Sequence, residues 1–421
     1  MSRSCLARLF LGTCLLLPTA SVWAQSVKEP RPWYLGASAS LTQVSNVYRV
    51  NQLPSQGQEV SNDDRVTGVT VYGGIHARLG RQRLRLDGSL INNSYQRNPG
   101  LRYQGYNATG GVDWQLGNDL SGTLELTGQR GLAPFNPGTL PSTFSKNMET
   151  NRGASLGARY GLFGPWSVDV GLSSSRRDYS LALYDRWDLE LQSFDVGLRW
   201  SPSPALSTRL VVRNGHGKYP RVPILPATQG GGFQEDKFKR KDLDLILNWQ
   251  PNSLHTVAAR LGQGRTTHEL ATASNGKGTN YRLDWTWLPS NKLRLQTILA
   301  RENGADTQQL RFAGFVLGDA LNARRYDTLQ LQGAYALTTK LSLTASVGEI
   351  RRTVDSSFNG NTTSGGRDKT QTGSLGLNWA VTRNASALCQ VNTDRRKGTA
   401  LFGQPYSSHS VGCTLRYGIE G

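Results

Sequence analysis

Arginine and aspartate recur on alternate residues in this chain, as in Arg83, Arg85 and Asp87, or Arg282 and Asp284. Along an extended backbone every second side chain projects to the same side, so parity sorts the ions. One face collects Arg83, Arg85, Arg159, Arg199, Arg209, Arg213, Arg260, Arg282, Arg294 and Arg416. It also collects Asp87, Asp113, Glu125, Asp169, Asp195, Asp244 and Asp284. Two chemistries fit: a ladder of ion pairs that stiffens a wet wall, and an arginine-lined path for anions. Alternation of sign favours the ladder and the cationic excess favours the path; the sequence leaves the two even.

Other chemistry is poorly represented. The five histidines, His76, His216, His255, His268 and His409, show no HExxH or paired metal spacing, and no GxSxG occurs. Gly230-Gly231-Gly232 leads into Phe233 and not into Lys-Ser/Thr, so it reads as a loop tip and not a phosphate cradle. The expectation is a protein without catalytic residues, metal or cofactor.

The elements that would carry this face are strands. Apolar positions alternate with the ions: Leu84, Leu86 and Leu90; Val168, Val170 and Leu172; Leu243, Leu245 and Leu247; Leu329 and Leu331. Period 2 marks each run as β. The runs begin near Trp33–Val44, Val66–Leu79 and Arg83–Tyr95 and end with the strand holding Val411, Cys413, Leu415 and Tyr417, about 18 in all. Short turns and longer loops rich in Gly, Ser, Asn and Thr alternate between them. Trp114, Tyr160, Trp200, Trp249, Trp287, Tyr335 and Trp379 each precede a short turn at intervals of about 43 residues, and Tyr417 closes the series.

A propeller also repeats at this length, but its blades need four shorter strands each and bury both faces. Here one whole face is ionic. An arginine facing lipid at the midplane costs roughly 2–4 kcal/mol, so ions must line an aqueous interior while leucines face hydrocarbon. The expected fold is therefore all-β: a transmembrane antiparallel up-and-down barrel of about 18 strands, with short periplasmic turns and long extracellular loops. The aromatics then form a girdle at the periplasmic-side interface. A mean hydropathy of −0.45 does not oppose this, since each strand shows lipid only every second residue. The loops around Pro220–Glu235 and Asn303–Ala323 are the candidates to fold inward and narrow the pore.

Residues 1–24 read as a secretory leader: Arg3 and Arg8, an apolar Leu9–Leu17, then Val22-Trp23-Ala24 before Gln25. Residues 25–421 then form a single barrel domain in the outer membrane of a Gram-negative cell. The formal net charge of +18 loses two with the leader. In an exported chain such a balance points to anionic glycans and lipid phosphates, not to nucleic acid. Arg176-Arg177, Lys239-Arg240-Lys241, Arg324-Arg325, Arg351-Arg352 and Arg395-Arg396-Lys397 border the long loops. Neighbours in each set face opposite sides, one toward lipopolysaccharide phosphates and one toward the mouth. Cys389 and Cys413 remain after the leader, on one face of the last two strands and directly opposed. A disulfide and two lipid-facing thiols fit equally.

Trp33-Tyr34-Leu35-Gly36-Ala37-Ser38-Ala39-Ser40-Leu41 followed by Ser45-Asn46-Val47-Tyr48-Arg49 resembles the entry of EpsL-type exopolysaccharide-biosynthesis outer-membrane proteins, a β-barrel porin family. The likeness continues through hairpins such as Leu247-Asn248-Trp249-Gln250-Pro251-Asn252-Ser253-Leu254. Ser410-x-Gly412-x-x-Leu415-x-Tyr417 is similar to the last-strand signal read by the barrel-assembly machinery, and here runs on through Gly418–Gly421. The resemblance implies exopolysaccharide export beside periplasmic and inner-membrane export proteins. Joined to the basic lumen, it predicts a channel guiding an anionic polysaccharide. A general diffusion porin for small anions and a non-conducting surface or adhesin barrel stay open as alternatives.

Overall fold

The structure, a computed structural model, describes residues 32–51, 61–135, 144–161, 164–225, 232–270, 275–303, 310–312, 315–317, 323–358, 361–398 and 405–421. The leader and the Gly230-Gly231 tip lie outside them.

In chain order the strands are β1 (Trp33–Val44), β2 (Asp64–Leu79), β3 (Gln82–Tyr95), β4 (Tyr103–Leu116), β5 (Leu120–Leu132), β6 (Met148–Tyr160), β7 (Trp166–Tyr179), β8 (Leu189–Ser203), β9 (Leu206–Leu225) and β10 (Gly232–Asn252). They continue as β11 (His255–His268), β12 (Gly276–Ser290), β13 (Leu293–Asn303), β14 (Leu310–Phe312), β15 (Phe315–Leu317), β16 (Ala323–Ala336), β17 (Leu341–Phe358), β18 (Asn361–Ala380), β19 (Ala385–Gly398) and β20 (Tyr406–Glu420). All but β14 and β15 belong to one 18-stranded sheet in which each strand pairs antiparallel with the next, β13 passing to β16. β1 pairs with β20, Tyr34 opposite Glu420 and Leu41 opposite Cys413, and this closes the cylinder. Gly418, Ile419 and Glu420, beyond the terminal aromatic, lie within that seam and lengthen it.

Short turns sit at one end. In the two-residue turn between Leu79 and Gln82, Gly80 takes φ +62°, which a side chain would oppose. The other end is irregular and holds two 3-10 helices, Pro99–Leu101 and Ala182–Trp187. Among the described residues one expected inward loop is instead a hairpin: β9 and β10 run on through residues 220–225 and 232–235, with Pro223 opposite Phe233 beside a register shift. Proline lacks the N–H a ladder needs, and a bulge tolerates that loss. In the second segment, β14 and β15 form a separate two-stranded sheet, and the intervening residues lie outside those described.

Burial is inverted relative to a soluble protein. Leu90, Leu126, Leu172, Leu210, Leu261, Val347 and Leu415 are exposed, while Asp169, Asp242, Asp244, Arg209 and Arg352 are buried. Soluble monomers rarely expose contiguous apolar patches beyond a few hundred Å². A belt encircling the whole cylinder is stable only in hydrocarbon. Tyr160, Trp200, Trp249, Tyr335, Trp379 and Tyr417 are exposed at the short-turn end of this belt, with Trp114 and Trp287 half-buried beside them. Trp166 joins Trp200 there, ring centroids 6.2 Å apart. Cys389 and Cys413 are directly opposed on the same outer face, with a disulfide between them.

The inversion gives a two-sided test in reconstituted liposomes. Leu331→Arg, on the outer face of β16, is expected to lower the unfolding free energy by roughly 2–4 kcal/mol. The adjacent inward Gln332→Arg is expected to change it by less than about 1 kcal/mol. Urea titration followed by tryptophan fluorescence measures both.

Candidate functional site

The inward face of β6–β12 carries the ions. Asp169 on β7 receives three guanidiniums: Arg159 Nε at 2.6 Å, Arg199 Nη2 at 2.8 Å and Arg209 Nε at 2.9 Å. Arg209 Nη2 also reaches Asp195 at 2.9 Å. Arg213 lies between Asp195 at 3.9 Å and Asp244 at 3.6 Å, and Arg260 Nε meets Asp244 at 2.9 Å. The chain of contacts crosses β6 to β11 without a break and holds five arginines against three aspartates. Beside it stand the pairs Arg240–Asp242 at 2.8 Å and Arg282–Asp284 at 2.6 Å.

Strand register explains why the acids are needed. Arg199 is directly opposite Arg209, and Arg260 is directly opposite Arg282. Like charges so placed repel, and aspartates on neighbouring rungs neutralise them. Space for the rungs comes from a missing side chain: a Cβ at Gly262 would overlap the Asp244 carboxylate.

The remaining sequence candidates are more scattered. Arg85 pairs with Asp113 at 2.9 Å. Asp87 accepts from Tyr34 Oη at 2.6 Å and lies 3.0 Å from His76 Nε2. Arg83, Arg294 and Arg416 share the inward parity and have no ion-pair partner among the described residues. Glu125 faces the same side on β5. At mid-height the opposite wall is lined by neutral groups, with Arg352, Asp368, Asp394 and Arg396 confined to its mouth end and Arg416 toward its short-turn end. Ser346 and Ser374 hydroxyls lie 2.6 Å apart, Gln390 donates to Asn392 at 2.5 Å, and Asn392 donates to Ser410 at 3.2 Å. At mid-height the lumen thus has an ionic side and a hydroxyl-and-amide side.

Two segments pack against strand ends at the mouth, and neither carries a local sequence signal. In the first, Asn46 Nδ2 donates to Val50 O at 2.8 Å and to Ser407 O at 3.0 Å. Tyr48 packs edge-on to Phe135 and Phe144 and donates to Asn98 at 3.1 Å. Between them Arg49 sits at φ +56°, a strained setting for a non-glycine residue, and its Nε lies 3.2 Å from Asp394. The second segment is Ala182–Trp187. Tyr184 and Trp187 are buried beside Tyr179, and Arg177 Nε donates to Trp187 O at 3.2 Å. Farther along the rim, His268 Nδ1 lies 2.7 Å from Asp236, both fully buried beneath Tyr219 and Phe238.

The basic sets at the rim divide by parity. Arg177, Arg240, Arg352 and Arg396 face inward, with Arg352 on Asp368 and Arg396 over the Tyr406 ring. Arg176, Lys239, Lys241, Arg351, Arg395 and Lys397 are exposed on the outside.

Asp188 closes the second mouth segment. Burial, opposed by a 2.8 Å hydrogen bond from the Tyr179 amide and helped by nearby Asp185, lifts its carboxyl from an ordinary 3.8 to about 6. A folded-state value above the unfolded one means the folded segment binds the proton more readily. Its contribution is complete below about pH 4 and is lost as pH rises through about 6. Hydrogen exchange at residues 179–190 is expected to be slower at pH 5 than at pH 7.5 after correction for intrinsic rates. Asp188→Asn should abolish the difference. Separately, Asp169→Asn leaves three guanidiniums without their shared carboxylate, and the reversal potential in a salt gradient is expected to move toward anions.

No protein-family model and no curated protein matches this chain. Solved structures match its fold. OccK2 (OpdF) of Pseudomonas aeruginosa superimposes with a TM-score of 0.50 at 11% identity, covering 92% of this chain and 98% of that one. OpdK of Pseudomonas aeruginosa gives 0.48 at 11% identity, with 92% and 99% covered. OccAB3 of Acinetobacter baumannii gives 0.46 at 9% identity, again with 92% and 99% covered. Identity this low speaks to fold alone, and the OccK2 likeness carries it. The chain has the closed 18-stranded fold of outer-membrane porins, and its encircling apolar belt is that of a barrel set in a membrane.

Proposed function

We propose that this barrel is a channel for small anionic solutes, carboxylates above all. The observation that supports this most is the unbroken contact chain from Arg159 to Arg260, in which arginines outnumber aspartates on one wall. Two unit charges 4 Å apart attract by about 1 kcal/mol in water and about 4 kcal/mol at an effective dielectric constant of 20. A carboxylate passing these guanidiniums therefore gains enough to be preferred over a cation and too little to be trapped. Each aspartate competes for the same arginines, so a solute is handed on as the native pair re-forms.

The mouth favours a small solute over a polymer. The segments at Asn46–Val50 and Ala182–Trp187 are tied to strand ends by hydrogen bonds and packed aromatics. Segments fixed at the rim in this way leave a wide polymer less room to pass than a small solute. The EpsL-type resemblance supports the other reading, in which the same arginines hold successive acidic sugars of an exported chain. A crystal structure of OccK2 holds glucuronate, which makes that sugar acid a convenient probe here and nothing more.

Planar-bilayer recording separates the readings. The expected result is an anion-selective current, slowed by millimolar glucuronate, with selectivity falling several-fold in Arg199→Gln/Arg213→Gln. Surface polysaccharide should be unchanged when the gene is deleted. Cation selectivity or a silent barrel would overturn the proposal, and loss of surface polysaccharide would favour the polymer reading.

A further inference from the structure

A row of cations on the outer wall has no partner within the protein. Lys241 on β10 is directly opposite Arg265 on β11, which is directly opposite Lys277 on β12. All three are exposed, and none has a carboxylate partner among the described residues. Like charges in register across two strand pairs repel. Other outer-rim cations are neutralised, Arg176 by Asp178 and Glu190, Lys218 by Glu190 and Glu235, Arg351 and Lys369 by Glu349. Lys239, Arg395 and Lys397 have no carboxylate among the described residues, but none of them stands opposite a second unpaired cation. The inward residues of the same strands are also settled, with Arg240 on Asp242. Three adjacent cations set in register, none with a carboxylate of its own, call for an anion from outside.

Their height says which anion. The outward rows below them run Leu243, Gln263 and Thr279, then Leu245, Leu261 and Tyr281. Gln263 donates to Thr279 Oγ1 at 2.5 Å, so the first row is a polar collar and the second is apolar. At about 3.3 Å per residue the climb from Trp249 in the girdle to Lys241 is about 26 Å along the strand, or roughly 20 Å along the membrane normal at a tilt near 40°. That is within about 5 Å of the upper edge of an apolar band about 25 Å tall, a gap that long Lys and Arg side chains span. A molecule with acyl chains on Leu245 and Leu261, sugar or glycerol hydroxyls at the collar and phosphate at the top would meet complementary groups at all three levels. We infer that β10–β12 form a binding site for a phosphorylated lipid of the outer leaflet, its phosphate held by Lys241, Arg265 and Lys277. The site is independent of the channel, since it uses only outward positions.

The test uses the full-length barrel in detergent, with native mass spectrometry counting bound lipid. The probe is lipid A bearing both phosphates, compared with the same lipid enzymatically freed of phosphate. Wild type is expected to retain the phosphorylated form at least tenfold better, with retention falling as salt is raised. Lys241→Gln/Arg265→Gln/Lys277→Gln should lose about tenfold, and each single variant should lose part of that. Arg176→Gln/Lys218→Gln/Arg351→Gln, which removes as many cations from paired positions, should retain lipid as wild type does. Equal retention by the triple variant or by its singles, equal retention of phosphate-free lipid, or displacement of the lipid by low-millimolar inorganic phosphate would each overturn the assignment.

Discussion

In hydrocarbon there is no water to receive an unpaired amide, so every backbone N–H and C=O in the spanning region must find a partner within the sheet. That single requirement forces β1 onto β20. Once the sheet is closed, period 2 does the rest. Each strand has one face that must be apolar and one that has nowhere to go but the lumen. Leu210 and Arg209, or Leu243 and Asp244, are neighbours in sequence and sit in solvents of opposite character.

Charge inside such a cylinder is not free of constraint either. Packing arginine opposite arginine across β8 and β9, and again across β11 and β12, is tenable only because aspartates stand on adjacent rungs. The carboxylates hold the guanidiniums extended along the wall, and in the proposed channel they also keep each from binding a passing anion too tightly. With hydroxyls and amides lining the facing wall, a solute bearing both a carboxylate and alcohols meets suitable partners on two sides.

Much of the architecture was legible in the sequence because alternation is a local property. Trp33–Val44 could be delimited to the residue, and the side taken by Arg199 or Asp244 followed from its distance to the nearest leucine. Which ions touch was not legible. Asp169 gathers arginines from three other strands, and that depends on the register between strands, which alternation within one strand does not set. The mouth was also hidden. Tyr48 meets Phe135 across more than eighty residues of chain, with no periodic pattern at either end. The segment Pro220–Glu235 reads as a loop, whereas a register shift beside Pro223 lets the hairpin run on through its described residues.

The bond between Cys389 and Cys413 joins residues that face each other across β19 and β20. A sheet held by hydrogen bonds alone can slide by two residues and keep leucine outward, since only an odd slip exchanges the faces. A covalent rung forbids even that permitted slip. The last hairpin therefore offers its partner one edge in one alignment, and the girth and shear of the whole cylinder are fixed where the two ends of the sheet meet.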